Sequence, residues 1–180
     1  MITQTDVHTF WFDEIDRSLW FKKDADFDQL LAERFSALHA RASHGELSAW
    51  RDTPHGRLAE IIVLDQFSRN LFRDNAKAFA QDGMALVLAQ EAVRCGADSA
   101  LNTQERVFLY MPYMHSESLI IHETAVELFT RNGILNNLDY ELKHKAIIER
   151  FGRYPHRNAV LGRASTPEEL EFLSQPGSSF

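Results

Sequence analysis

A group of cationic side chains with no acid among them lies near the carboxyl end of this sequence. Four arginines and one histidine fall within fourteen residues, although the 180-residue chain carries a formal net charge of −7 at pH 7. A guanidinium is always charged and presents a planar fork of donors, so several together require a carboxylate, a phosphate or water. The pattern predicts an anionic partner for this arginine cluster, which we define as Arg150, Arg153, His156, Arg157 and Arg163.

A second stretch of the chain repeats part of this arrangement. Phe67-Ser68-Arg69-Asn70 is followed by Arg73, and Pro155-His156-Arg157-Asn158 is followed by Arg163. Both segments therefore place Arg-Asn shortly before another arginine. We expect the two segments to fold toward each other and to leave a hollow that water can reach.

Asp65 is a carboxylate in the middle of an apolar helical stripe. Leu58, Ile61, Ile62 and Phe72 share its face of the helix. A buried carboxylate needs a partner, and Arg69 lies one turn later at i+4. Two interpretations remain open: a buried ion-pair network that sets helix register, or an acid that orients Arg69 toward a ligand.

The segment Pro112–Glu117 holds a second set of polar candidates. His115 and Glu117 are predicted at the start of a helix, where free backbone donors favour anions, and together they can shuttle protons. The alternative is that Ser116 caps the helix while His115 satisfies a buried carbonyl group. His122 lies on the same face, but the spacing matches no metal motif, so we predict no metal.

Composition narrows the class of protein. With 44% apolar residues, including 13 Phe, the chain can bury one core, and we expect a single domain over residues 1–180. The acidic net charge argues against binding to nucleic acid or an anionic membrane. No apolar run approaches the length of a membrane span, and the amino terminus does not resemble a secretory signal. Cys95 is the only cysteine, which favours a reducing cytoplasm.

The common cofactor and hydrolase motifs are missing from the sequence. It contains no phosphate-binding loop, no dinucleotide-binding glycine turn and no nucleophile elbow. We therefore predict no cofactor.

Helical periodicity dominates the chain, which predicts an all-α fold of antiparallel helical hairpins. No segment alternates polar and apolar residues in the manner of a strand. We expect a break or kink at Pro112. We predict one helix after Asp24, helices over 56–72 and 76–95, and a fourth that begins at 102–103. Three further helices are predicted: from after Pro112 to 132, from 135 to about 151, and after Thr166.

Four blocks of sequence resemble a bacterial family, domain of unknown function 924. They are Phe10-Trp11-Phe12, Asp65–Asn70, Pro112–Glu117 and Gly152–Asn158, and the resemblance extends over nearly the whole chain. The family pattern has proline at the position of Ser68 and phenylalanine at the position of Tyr154. The resemblance implies a superhelix of the tetratricopeptide-repeat type with a concave surface, and it implies no activity. The polar residues of its motifs are Asp65, Gln66, Arg69, Asn70, His115, Glu117, Arg153, His156, Arg157 and Asn158.

Three hypotheses about function follow. In the first, the protein binds an anionic small molecule or a peptide carboxylate in a pocket of arginine, histidine and asparagine. In the second, it is an enzyme in which His115 or His156 acts as general acid/base while Arg69, Arg153 and Arg157 stabilise negative charge, and Glu117 is a further catalytic candidate. In the third, it is a scaffold whose arginines form internal salt bridges. The residues predicted to contact the ligand are Asp65, Gln66, Arg69, Asn70, His115, Arg153, His156, Arg157 and Asn158.

Overall fold

A computed structural model describes residues 2–179, and within them every regular element is helical. The all-α prediction is confirmed. None of the helices in this range is both long and apolar enough to cross a membrane. The α-helices are α1 Gln4–Thr9, α2 Ala25–Ser43, α3 Pro54–Ile62, α4 Ser68–Leu71, α5 Asp82–Arg94, α6 Thr103–Met114, α7 Leu119–Asn132, α8 Leu135–Phe151 and α9 Pro167–Leu173.

Local sequence signals set most helix ends. Asp24 caps α2, Asn102 forms a capping box with Glu105 at the start of α6, and Thr166 forms another with Glu169 at α9. These side chains accept hydrogen bonds from the first free backbone N–H groups of each helix. Helix α7 ends at Gly133, where φ is 81° and a side chain would be strained. The predicted starts of α2, α6 and α9 and the predicted end of α7 at Asn132 are confirmed.

The central helix differs from the single continuous helix predicted over 56–72. Helix α3 passes into a π-helical turn, Val63–Phe67, which in turn passes into α4. All five residues of this turn are buried, and they include Asp65 and Gln66. A π-turn contains one residue more than an α-helical turn, so the side chains that follow it point in different directions from those of a continuous α-helix. Such turns are frequent at functional sites.

Three further boundaries correct the sequence prediction. The segment 76–95 is a short 3₁₀ turn, Ala76–Phe79, followed by α5, rather than one helix. Helix α6 does not break at Pro112 but continues through it for two residues, to Met114. His115 therefore follows the end of α6 instead of beginning the next helix. Ser118, not Ser116, occupies the cap position of α7, and its side chain makes no capping bond.

The main hydrophobic core joins the amino-terminal two thirds of the chain. Its members run from Val7 in α1 to Phe129 in α7, and Trp11, Phe35, Phe67 and Phe108 are almost fully buried. Burial of such rings removes large apolar areas from water and dominates the energetics of the core. Helix α7 packs against both α6 and α8. This packing is compatible with stacked antiparallel hairpins, and the tetratricopeptide-like superhelix stays a prediction.

Candidate functional site

The two arginine-bearing stretches meet at one carboxylate. Arg69 donates two hydrogen bonds to Asp82, from Nη1 to Oδ1 at 3.0 Å and from Nη2 to Oδ2 at 3.1 Å. Arg157 Nη1 donates to Asp82 Oδ2 at 3.3 Å, although the two arginines are far apart in sequence. Two guanidinium groups thus share the carboxylate at the start of α5. The expected approach of the two stretches is present in the fold.

Arg157 is held between aromatic rings with an incomplete set of hydrogen bonds. Its guanidinium carbon lies 4.5 Å from the ring centre of Phe79 and 4.6 Å from that of Tyr154. Nη2 donates to the His115 carbonyl at 3.0 Å, but the buried Nε has no partner. Burial first, and then repulsion from Arg69, lower the pKa of Arg157 below its ordinary value. The burial of this charge with an incomplete set of partners therefore lowers the stability of the folded protein.

Asp65 and His115 form a hydrogen-bonded pair beside the two arginines. His115 Nδ1 donates to Asp65 Oδ1 at 2.7 Å, and Arg69 Nη1 lies 3.1 Å from the same oxygen. Burial by itself raises the pKa of Asp65, but the charge of Arg69 and the bond from His115 outweigh it and lower the pKa overall. Asp65 is accordingly an ionised acceptor. It assigns the proton of His115 to Nδ1 and leaves Nε2 with a free lone pair.

The imidazole of His115 is neutral at physiological pH and reachable from solvent. Burial, followed by the nearby charge of Arg69, lowers its pKa below the ordinary histidine value, despite the opposing effect of Asp65. The side chain is 15% exposed and lines a cavity. His115 is therefore not sealed under apolar side chains, and its Nε2 can accept a proton or a hydrogen bond.

The cavity in front of these residues has a volume of about 610 Å³. Among the residues that the structure describes, the charged side chains that line the cavity are four cations and one carboxylate, Asp74; Asp65 and Asp82 do not line it. Amide side chains from three parts of the chain and an apolar patch complete the lining. The cationic residues are Lys22, Arg69, Arg73 and Arg157; the amides are Gln66, Asn70, Asn75, Asn136 and Asn137; the apolar patch includes Phe79, Met111, Met114 and Val160.

Two more histidines face the same cavity. Burial lowers the pKa of His156 to about 4 and the pKa of His144 to about 3. His156 Nδ1 is buried and has no hydrogen-bond partner, while His144 Nδ1 donates to the Tyr140 carbonyl at 2.7 Å. Both rings are uncharged at neutral pH. The permanent positive charge of the cavity wall therefore comes from lysine and arginine alone.

Some of the predicted site residues lie elsewhere. Arg153 donates to both carboxylate oxygens of Glu169, at 2.7 and 2.8 Å. Asn158 is fully buried, donates to Glu169 and accepts from Arg163, so it supports a turn instead of lining the cavity. Arg153 and Asn158 were predicted to contact the ligand together with Arg69, His156 and Arg157, but neither of them lines the cavity. The physical reason is that carboxylates from distant parts of the chain, absent from the local sequence, neutralise part of the cluster.

Glu117 also lies outside the main cavity. It accepts both terminal nitrogens of Arg163, at 2.7 and 2.9 Å, and the backbone N–H of Tyr154. With Asp82 it lines a second, smaller cavity of about 310 Å³. His115 and Arg157 border both cavities. Glu117 therefore positions the Tyr154 backbone and is not paired with His115 as predicted.

Several residues of the site escaped sequence analysis. Asp82, which both arginines share, belongs to none of the recognised blocks, and Phe79 and the amides of Asn136 and Asn137 carry no motif. The two copies of the repeated arginine motif make different contacts. In the first, Asn70 and Arg73 both donate to Asp28; in the second, Asn158 accepts directly from Arg163.

Comparison with known proteins supports the resemblance noted in the sequence. The sequence profile of the family described as "Bacterial protein of unknown function (DUF924)" matches residues 7–177. A solved structure of a protein of unknown function from Agrobacterium tumefaciens has 40% sequence identity to this chain and a TM-score of 0.90; the match covers 94% of this chain and 96% of the other. No curated protein matches the sequence. The chain belongs to the bacterial DUF924 family.

Proposed function

We propose that the protein binds a small organic anion in the 610 Å³ cavity, with Arg69 and Arg157 as the groups that recognise its negative charge. The observation that carries the proposal is the placement of Arg157. Its side chain is 7% exposed, and among residues 2–179 it forms an ion pair with one carboxylate, Asp82, which it shares with Arg69. An entering carboxylate or phosphate would add negative charge beside two guanidinium groups that share this acid.

The size and lining of the cavity favour a small molecule over a macromolecule. Cavities of about 300–1,000 Å³ suit small ligands and cofactors. The lining of this cavity includes apolar side chains, among them Met111, Met114 and Val160, as well as cationic ones. A compact acid with an apolar body fits a lining that contains both kinds of side chain. The amides of Asn136 and Asn137 can bond to further polar groups of such a ligand.

The proposal is tested with a panel of anions and two matched arginine variants. Carboxylates of increasing apolar size and inorganic phosphate are titrated while the midpoint of thermal unfolding is followed. A ligand that binds the folded state alone raises stability by about 2.7 kcal/mol at a hundred times its dissociation constant. Arg157→Met, which keeps the apolar stem and removes the charge, should abolish this stabilisation.

Arg153→Met is the control. Arg153 belongs to the same arginine cluster but pairs with Glu169 away from the cavity. It should retain full anion-dependent stabilisation. Circular dichroism establishes that wild type and Arg157→Met are both folded. If anions then stabilise the two proteins equally, the anion-binding proposal is wrong and the scaffold hypothesis remains, in which the arginines form internal salt bridges. The salt bridges of Arg153 and Arg163 already belong to that structural class.

An enzyme is the second candidate, and the Asp65–His115 pair is the observation that favours it. A buried carboxylate that fixes the Nδ1–H tautomer leaves Nε2 as a base, which is how an acid can orient a histidine for proton transfer. Arg69 and Arg157 lie where they can stabilise negative charge that develops on a substrate. In this proposal His115 deprotonates a bound water or hydroxyl group.

Nitrophenyl esters and nitrophenyl phosphate are suitable first probes of such a base. We expect His115→Asn to lower the hydrolysis rate by at least about a hundredfold, in line with the usual effect of general-base catalysis. His44→Asn removes an exposed imidazole far from the cavity and should have no effect. If wild type and His115→Asn hydrolyse these probes at the same low rate, the proposal that His115 catalyses such reactions is wrong. The proposal of anion binding is not affected by that result.

A further inference from the structure

Three side chains from separate helices converge outside the cavity just described. They are His8 in the last turn of α1, His55 at the start of α3 and Glu105 in the first turn of α6. One donor atom from each lies within 4.8 Å of the other two, and residues 2–179 contain no other such group of three histidine, cysteine or acidic ligands. His8 Nε2 is 2.7 Å and His55 Nε2 is 3.5 Å from the same oxygen, Oε1 of Glu105.

Glu105 is held in place for this role by the backbone. Its other oxygen, Oε2, accepts the Asn102 N–H at 2.7 Å as part of the capping box of α6. The carboxylate side chain is 6% exposed, so Oε1 is oriented toward the two imidazoles and cannot rotate away without breaking the cap. A ligand oriented by a second hydrogen bond in this way is typical of protein metal sites.

The described residues place no lysine or arginine against Glu105. Among residues 2–179, its ion-pair partners are the two histidines, and its side chain is almost fully buried. Buried carboxylates in proteins are usually paired with a charge or coordinate a metal. A divalent ion bound between the three donors would supply that charge.

We propose that His8, His55 and Glu105 bind a divalent first-row metal ion, with Zn²⁺ as the reference ion. Two imidazole nitrogens and one carboxylate oxygen match the protein ligands of three-ligand zinc sites. Bond lengths of about 2.0–2.2 Å require donor separations of roughly 3.3 Å, which the His55–Glu105 distance already meets and which His8 reaches by moving slightly outward. The half-exposed His55 leaves room for water as the remaining ligand.

This site departs from the sequence prediction of no metal. That prediction considered local spacing around His115 and His122. The three donors proposed here are separated by 47 and 50 residues, and tertiary packing alone brings them together. The site is also independent of the proposed anion cavity, since none of its residues lines that cavity.

Calorimetric titration of the untagged full-length chain with Zn²⁺ tests the proposal. We expect one ion per chain with micromolar or tighter affinity. Co²⁺, bound at the same site, should give visible absorption bands of a nitrogen- and oxygen-ligated ion. His55→Ala removes an exposed side chain at a helix start and should weaken Zn²⁺ binding by at least about tenfold without affecting folding. Glu105→Gln should weaken it similarly.

A control variant makes the result decisive. His44→Ala removes an exposed imidazole outside the cluster and should bind Zn²⁺ as wild type does. The proposal is overturned if wild type binds no Zn²⁺ at micromolar concentrations. It is equally overturned if His55→Ala retains full affinity, or if His44→Ala loses as much. His55→Ala is decisive on its own should Glu105→Gln fail to fold.

Discussion

Asp65 is the residue on which the candidate cavity most depends. It is fully buried, and it accepts from His115 and from the Gln66 amide and lies 3.1 Å from Arg69. Without the Asp65 carboxylate, each of these groups would lose an acceptor or a counter-charge inside the protein. Asp65 therefore contacts both Arg69 and His115 in the network beside the cavity.

Replacing Asp65 with asparagine should therefore destabilise the protein. Asp65→Asn keeps the shape but removes the charge that neutralises Arg69, and loss of one partner of a buried pair costs about 3–5 kcal/mol. Unfolding in urea should show a fall of about 3 kcal/mol in the free energy of unfolding.

Glu91→Gln provides the comparison. Its partner Arg94 is 75% exposed, and a pair at the surface contributes little to stability because water screens it. Similar small losses in the two variants would mean that Asp65 is not an ionised member of a buried network.

At the scale of elements, the close approach of α1, α3 and the turn before α3 depends on Gly56. A Cβ atom at this position would lie 1.9 Å from Gln4 Oε1 and 2.0 Å from the Trp50 carbonyl oxygen. The Trp50 oxygen is a backbone atom, so the clash cannot be relieved by a rotamer change. This contact sets the position of α3, and with it the start of the helix that carries Asp65 and Arg69.

Gly56→Ala should lower the free energy of unfolding by about 1–3 kcal/mol, as overpacking does, even though alanine favours helix by about 1 kcal/mol over glycine. Equilibrium urea unfolding measures the change.

Gly83→Ala is a matched control in the first turn of α5, where an added Cβ meets no atom within 4 Å. It should stabilise the protein by about 0.4–1 kcal/mol. If both substitutions stabilise the protein, the approach of α1 and α3 is looser than described.

At the scale of the whole molecule, the buried uncharged histidines link stability to acidity. Burial lowers the pKa of His156 to about 4 and of His144 to about 3, whereas the unfolded chain binds these protons near the ordinary value of about 6.5. Between these limits the unfolded state binds more protons than the folded state. Stability is therefore fully present above pH 6.5 and is lost as the pH falls toward 4.

We expect the free energy of unfolding to decrease on acidification from pH 6.5, by up to about 1.4 kcal/mol per pH unit for each such histidine. His156→Gln removes one of these protonation sites, so its stability should fall less steeply than that of wild type when urea unfolding is measured from pH 7 to pH 5.

His44→Gln, which changes an exposed imidazole, should follow the wild-type slope. An unchanged slope in His156→Gln would mean that His156 is protonated equally easily in both states.

The sequence by itself determined the helical class, most of the helix ends and the identity of several cavity residues. These features depend on local physics: capping side chains, glycines at helix ends and apolar periodicity act within a few residues of each other. The motif blocks pointed to Arg69, His115, His156 and Arg157, all of which line the cavity. The π-helical turn at Asp65 was missed because hydrogen-bond register depends on the packing of the buried turn and not on propensity alone.

Only the tertiary structure decided which charges meet. Asp82 accepts hydrogen bonds from both Arg69 and Arg157, and Glu169 accepts from Arg153 outside the cavity. Glu105 lies against both His8 and His55. Each of these carboxylates is remote in sequence from a group that it binds. Electrostatic interactions act through space over a few ångströms, so pairing depends on how helices pack and has no signature in the spacing of residues along the chain.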